Sequence, residues 1–225
     1  INGEYLSDMQ QYNRLLGQRN ILLKNQSADL TLLDIIDEKM SVCAERIFNA
    51  RTSFADELSP VVAGFYSNLS GCKENVNIGY RSDQQCGLLV DLLKKNRSKD
   101  MALGYTTVGI QRDDLLFMMN EHLIRRTGSQ GQQKSFLVSL KFAQYEIMKK
   151  HFGVPPILLL DDVFDKLDMD RTANLLSMVA GNEFGQIFIT DSNKVRLSGI
   201  VDGITDDRAY FEADSGTFRR EDGLS

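Results

Sequence analysis

Five residues in the second half of the chain stand where chemistry is possible: Ser129, Gly131, Gln132, Asp161 and Asp162. Ser129 and Gln132 have the S-x-x-Q spacing of a capping box, in which each side chain satisfies an amide at the other's position, so a helix is expected to start here. A helix N-terminus presents N–H groups to anions, and Gly131 lets a phosphate approach the backbone with no Cβ in the way. Asp161 and Asp162 end the apolar run Ile157-Leu158-Leu159-Leu160. Such a run is expected to be a strand buried on both faces of a parallel sheet, and carboxylates at its C-terminal mouth lie where open α/β sheets hold their ligands. Plainer readings stand beside these: a capping box and nothing more at Ser129, and a carboxylate that caps the turn after the strand at Asp162.

The elements that position these residues follow from periodicity. Phe136, Leu140, Ala143 and Ile147 recur at helical spacing after the turn, with Leu137 and Met148 widening the same face. Beyond Asp168, Arg171–Ala180 is expected to be a helix and Gln186-Ile187-Phe188-Ile189-Thr190 a second buried strand, which together make a β-α-β unit of a parallel sheet. Gly128 to Ser135 superficially imitates a phosphate-binding loop, but Gln133 precedes Lys134 where glycine is required, and no G-x-x-x-x-G-K-[ST] occurs in the chain.

Three motifs in order carry a resemblance. Ser129-Gln130-Gly131-Gln132-Gln133-Lys134 resembles the signature motif of ABC-type ATPases, Ile157 to Asp162 their Walker B strand, and Lys166-Leu167-Asp168 their D-loop. The Gln-Gln-Lys signature, the double Asp and the upstream Gly109-Ile110-Gln111-Arg112-Asp113-Asp114-Leu115 resemble, within that superfamily, the RecF family of bacterial recombinational-repair ATPases. The resemblance implies an α/β fold: the C-terminal lobe of an ABC-type ATPase head with a parallel sheet core (73–225), plus a helical antiparallel arm subdomain (1–72), the P-loop lobe being absent. It implies ATP bound by Ser129, Gly131, Gln132 and Asp168 across a head dimer, Mg²⁺ served by Asp161, and Asp162 as the catalytic residue. Asp162 stands where relatives usually carry Glu, and its shorter reach suits slow hydrolysis. Asp191-Ser192-Asn193 replaces the switch histidine of many relatives. The implied partners are DNA at gaps or single-strand/double-strand junctions, a second copy in the presence of ATP, and the mediator proteins RecR and RecO. The missing P-loop, the first residue Ile1 and the late position of the motifs suggest a C-terminal fragment, without ATPase activity by itself.

Composition sets outer bounds. The 225 residues are 42% hydrophobic with a net charge of −5, ordinary for a globular chain and not that of a broadly basic nucleic-acid binder. Lys94-Lys95-Asn96-Arg97-Ser98-Lys99 is the clearest basic patch, expected as a solvated loop. Cys43, Cys72 and Cys86 lack metal-ligand or disulfide spacing, and His122 and His151 belong to no recognisable triad. No long apolar run or signal-peptide pattern is present, which favours a cytoplasmic protein without a membrane span.

The first half reads as helices. Residues 4–24 carry a stripe of Tyr5, Met9, Tyr12, Leu16 and Leu23 that Arg19 interrupts. After the polar break Asn25-Gln26-Ser27, Leu33, Ile36, Met40, Cys43, Ile47, Ala50 and Phe54 continue a heptad rhythm, which suits two antiparallel helices. Pro60 is expected to kink or restart the second helix, and Val61, Val62, Phe65 and Leu69 to resume it before Ser70-Gly71. A strand at Val76–Tyr80, a short helix near Gln84–Lys94, a strand at Thr106–Gln111 and a hairpin from Leu115 through Asn120-Glu121-His122 to Ile124 follow. Arg112-Asp113-Asp114 is either a local ion-pair cluster or a device that positions the signature turn, a nucleotide or DNA. A terminal hairpin or edge strand is expected from Arg208–Phe211 and Gly216–Phe218, with fraying from Arg219. Two other classes stay open: a non-catalytic DNA- or protein-binding module, and a transporter ATPase subunit.

Overall fold

The computed structural model describes residues 3–25, 29–164, 167–179, 184–192, 198–199, 201–203 and 205–221. They form two compact units, one of residues 1–64 with 74–128 and one of 65–73 with 129–225. This division differs from the expected one at 72/73, because strands and a helix after residue 73 cluster with the first 64 residues.

In the first unit, α1 (Gly3–Lys24) and α2 (Leu30–Ser70) run antiparallel. Tyr5 meets Arg51 at 3.0 Å, Asp8 meets Arg46 at 2.8 Å and Arg19 meets Asp37 at 2.6 Å, so partners descend on α2 as they ascend on α1. Tyr12 and Leu15 pack on Ile36, Met40, Cys43, Ala44 and Ile47 of α2, on Leu89 and Leu93 of α3 (Leu89–Leu103), and on Ile110. Arg19 does not interrupt this stripe. It is fully buried, with Nη1 at 2.7 Å from Asp100 and 2.8 Å from Thr106 beside the Asp37 contact.

The α2 stripe departs from the heptad expectation after Ile47. Phe54 is exposed, while Ala55, Leu58, Val62, Tyr66 and Leu69 are buried; the skipped turn belongs to Arg51, half-buried and bonded to the Ile110 carbonyl at 2.9 Å. Pro60 does not restart the helix, which runs through it to Ser70. The proline is exposed, so water can serve the carbonyl that loses its N–H partner. Gly71 at φ 65° then ends it, with the Cys72 N–H bonded to the Ser67 carbonyl at 2.9 Å.

The strand expected at Thr106–Gln111 is absent, for a physical reason. The amides of Thr106, Thr107 and Gly109 donate to the side chains of Asn20, Asp100 and Asp83 at 2.8, 2.9 and 3.0 Å, which takes the donors a ladder would use. A short 3-10 turn, Ile110–Arg112, follows. The sheet proper is antiparallel: β1 (Val76–Arg81), β2 (Asp114–Met119) and the two-residue β3 (His122–Leu123). Asn120 and Glu121 both have positive φ, 46° and 68°, the geometry of a two-residue hairpin turn. The helix expected near Gln84–Lys94 is a 3-10 turn at Asp83–Cys86 followed by α3. The basic run 94–99 therefore lies on a helix rather than a loop, and its Arg97 turns to Asp37 at 3.0 Å.

The second unit contains α5 (Gln130–Phe152), β4 (Leu158–Asp161), α6 (Met169–Val179) and β5 (Ile187–Thr190), after the one-turn α4 (Ile124–Thr127) of the first unit. β4 and β5 pair in parallel, Asp161 opposite Thr190. Phe142 and Tyr145 of α5, Leu158 and Leu160 of β4, Leu175 and Leu176 of α6 and Phe184 make its core. The apolar run is covered on one face only, contrary to expectation: Leu158 and Leu160 are buried, but Leu159 is 71% exposed beside Phe188 at 51%. On α5, Phe136 and Ala143 are buried as expected and Leu140 and Ile147 half-buried, but the face widens to the other side. Leu137 and Met148 are exposed while Ser135, Val138, Ser139, Phe142 and Tyr145 are buried, and the two serines satisfy their hydroxyls on the carbonyls of Gly131 and Ser135. A hairpin of β6 (Tyr210–Asp214) and β7 (Thr217–Glu221) forms as expected, with Arg219 and Arg220 in strand rather than frayed. Residues 222–225, Gln26, Ser27 and Ala180 lie outside the described residues.

Candidate functional site

The Ser129 turn is a complete capping box: Ser129 Oγ accepts the Gln132 N–H at 3.3 Å, and Gln132 Oε1 accepts the Ser129 N–H at 2.7 Å. Ser129 and Gln130 are exposed, and Gly131 is half-exposed with its carbonyl engaged by Ser135. The first helical turn is thus held by its own side chains while its outer surface stays open to an anion.

Asp161 and Asp162 are both exposed at the end of β4. The Thr190 hydroxyl donates to Asp161 Oδ1, fixing that carboxylate from the neighbouring strand. Asp162 leaves the strand at φ 46°, a left-handed conformation Asp tolerates better than most residues. Its backbone is pinned on both sides, the N–H by the Thr190 carbonyl at 3.3 Å and the carbonyl by Lys134 Nζ at 3.3 Å. The Asp162 carboxylate has no hydrogen-bond partner among the described residues. Through Lys134, the turn that begins α5 and the mouth of β4 share one site.

Asp168 takes a structural part that spacing did not show. Its Oδ1 accepts the Arg171 N–H at 2.8 Å and its carbonyl the Thr172 N–H at 3.0 Å, so it is the N-cap of α6 and starts that helix at Met169 rather than Arg171. Lys166 and Asn193 lie outside the described residues. Thr190, Lys134 and Arg171 were not legible as site residues; the only sequence signal for Thr190 is its place at the end of a strand parallel to β4.

Arg112-Asp113-Asp114 is not a self-contained ion-pair cluster. Asp113 is bonded by Arg51 at 2.7 Å and by the Tyr80 hydroxyl at 2.5 Å, and Asp114 by Arg81 at 3.1 Å. Burial, together with the Asp113 carboxylate, pushes the Tyr80 phenol up to about 12. Burial opposes the Arg51 charge, but its bonds to Tyr5 and Asp113 outweigh that and raise its pKa.

Mg²⁺ prefers one or two carboxylates completed by water and phosphate oxygens. Exposed Asp161, oriented by Thr190, matches that donor set, and no cluster of three or more His, Cys, Asp or Glu with metal-binding geometry occurs among the described residues.

A parallel β-α-β unit with paired carboxylates at its mouth, touched by the lysine of a capped helix, defines the second lobe of an ABC-type ATPase head. An SMC ATPase structure shares the fold, with a TM-score of 0.50 at 12% identity over 77% of this chain and 87% of that one. No family model matches the chain. Among curated proteins, "DNA replication and repair protein RecF" of Porphyromonas gingivalis is 43% identical over 213 residues, 94% of this chain and 58% of the relative. The protein of the same name from Phocaeicola vulgatus is 42% identical over 222 residues, 97% of this chain and 60% of the relative. A solved structure described as the recombination mediator protein RecF-ATP in the RecFOR pathway superposes with a TM-score of 0.76 at 27% identity, over 99% of this chain and 60% of that one. The chain belongs to the RecF family. It spans about three fifths of the length of the curated relatives it matches.

Proposed function

We propose that the chain supplies the signature turn and the Walker B carboxylates of a RecF-type ATPase, which engages gapped or junction DNA as an ATP-dependent head dimer during recombinational repair in the cytoplasm. The observation that carries this reading is the Lys134 contact to the Asp162 carbonyl, which holds an anion-binding helix start and a metal-binding strand mouth in one lobe. The phosphate-cradling loop belongs to a lobe outside these residues. Ser129, with the open amides of the first turn of α5, binds the terminal phosphate of a nucleotide held by the partner copy. Bound Mg²⁺ would neutralise charge on the phosphates. Asp161 would hold that ion through water, and Asp162, whose carboxylate has no hydrogen-bond partner among the described residues, would orient the attacking water and receive its proton. Gln132 and Asp168 act by fixing the signature turn and the D-loop. RecR and RecO are the proposed mediator partners, on the strength of the pathway named for the RecF structures.

Ser129→Arg in the full-length protein tests this directly. Added bulk and charge occupy the opposing phosphate's place, so ATP binding by a single subunit should stay within about twofold while ATP-induced dimers disappear in sedimentation. Dimers of the variant in ATP would remove the signature assignment.

A further inference from the structure

Arg171 lies buried on α6, 8% exposed, and its bonds run to two motifs. Its Nε stands 3.4 Å from Asp168 Oδ2, its Nη1 donates to Ser135 Oγ at 2.8 Å, and its guanidinium carbon sits 6.0 Å from the centre of the Tyr66 ring. Ser135 is fully buried and passes the bond on, donating to the Gly131 carbonyl at 2.9 Å. An ion pair followed by two hydrogen bonds therefore leads from the D-loop carboxylate through the Arg171 guanidinium and Ser135 to the glycine of the signature turn.

We infer that Arg171 is a positioning residue that sets the D-loop and the signature turn as one rigid pair. The capping box and the Asp168 N-cap each stabilise their own helix start, but neither fixes one start against the other. Arg171 does, because a planar guanidinium has forked donors that reach two acceptors at once, which a lysine ammonium on a flexible stem does not reproduce. The Asp168 contact alone is weak, since that side chain is 65% exposed. The buried Ser135 bond is where the linkage lies. This inference rests on the proposed trans-acting signature, and its consequence is that dimer formation depends on a residue that touches no nucleotide.

The test uses the full-length protein with four variants: Arg171→Lys, Ser135→Ala, Ser135→Thr, and Arg171→Lys with Ser135→Ala. Single-subunit ATP affinity, the protein concentration at half-maximal ATP-induced dimerisation, and thermal melting are measured for each. Arg171→Lys and Ser135→Ala should each raise the dimerisation midpoint about tenfold with ATP affinity unchanged, a coupling of ordinary size. Ser135→Thr, which keeps the hydroxyl, should restore the wild-type midpoint, and the double variant should be no worse than the worse single one. An unchanged midpoint in Ser135→Ala, or additive losses in the double variant, overturns the linkage. Loss of ATP affinity in step with melting temperature also overturns it, since that is the mark of a packing role alone. If Ser135→Ala does not fold, Arg171→Lys decides on the same readout. Ser129→Arg separates the two levels: if it blocks dimers while Ser135→Ala does not, only the linkage fails, and if Ser129→Arg still dimerises, the signature reading fails first.

Discussion

Arg19 carries a full charge into the core of the first unit, held by Asp37 at 2.6 Å and Asp100 at 2.7 Å with all three side chains fully buried. Removing one partner of such a set leaves an uncompensated buried charge, so Asp100→Ala should lower unfolding stability by about 3–5 kcal/mol in urea titrations. A loss below about 1 kcal/mol would show that water reaches the site. Asp8, itself nearly buried, makes a milder pair with the exposed Arg46. Its bond from Arg46 holds the carboxyl below the ordinary value of 3.8. Stability from this pair is complete above the unfolded carboxyl's pKa and is lost as pH falls through the depressed folded one. Asp8→Asn should therefore lower the melting temperature at neutral pH and flatten the acid limb, so that variant and wild type converge once pH falls below the folded carboxyl's pKa. None of this was legible along the chain. A lone arginine in an apolar stripe reads as a surface interruption, because its partners are 18 and 81 positions away. The site residues fared differently: Ser129 and Gln132 are three apart and make a local motif, so spacing sufficed.

At the level of elements, the turn at Gly109 sets how the first unit closes. Its φ is 118°, and a Cβ there would meet the Tyr12 hydroxyl at 2.5 Å and Gln111 Oε1 at 2.9 Å. Tyr12 is committed in turn, donating to Gln111 at 2.6 Å. Gly109→Ala should cost about 1–3 kcal/mol from backbone strain alone, with the clash in addition. Denaturant midpoints measure it, and a neutral substitution would mean that the turn adopts another conformation. The elements whose pattern is local were readable: both long helices, the β1 alternation, the Asn120-Glu121 turn and the parallel β4–β5 pair. Those decided by distant acceptors were not, as at Thr106–Gln111, where β-branched threonines suggested a strand. Phe54 and Leu137 mislead for a related reason, since their helices bury arginine or serine at positions that hydrophobicity leaves for the surface.

At the scale of the whole molecule, β4 and β5 make a parallel pair covered on one face, with Leu159 and Phe188 open on the other. Parallel strands are ordinarily covered on both faces. The chain alone should show no steady-state ATP turnover, as measured by phosphate release; turnover abolished by Asp161→Ala would contradict this. The family resemblance rested on motif order across many residues, which explains why it could be read before the geometry. The resemblance also implied separate roles for the two carboxylates, whereas the Thr190 and Lys134 contacts beside them, made across 29 and 28 positions, were not legible. Single-turnover hydrolysis with matched Mg²⁺-ATP binding, in full-length Asp161→Asn and Asp162→Asn, tests the central claim most directly. Asp161→Asn should weaken Mg²⁺-ATP binding by tenfold or more, about 1.4 kcal/mol, whereas Asp162→Asn should bind normally, slow cleavage by about 10²-fold or more and dwell longer on gapped DNA. Equal loss of nucleotide binding in both variants, or unchanged cleavage in Asp162→Asn, would contradict the assignment.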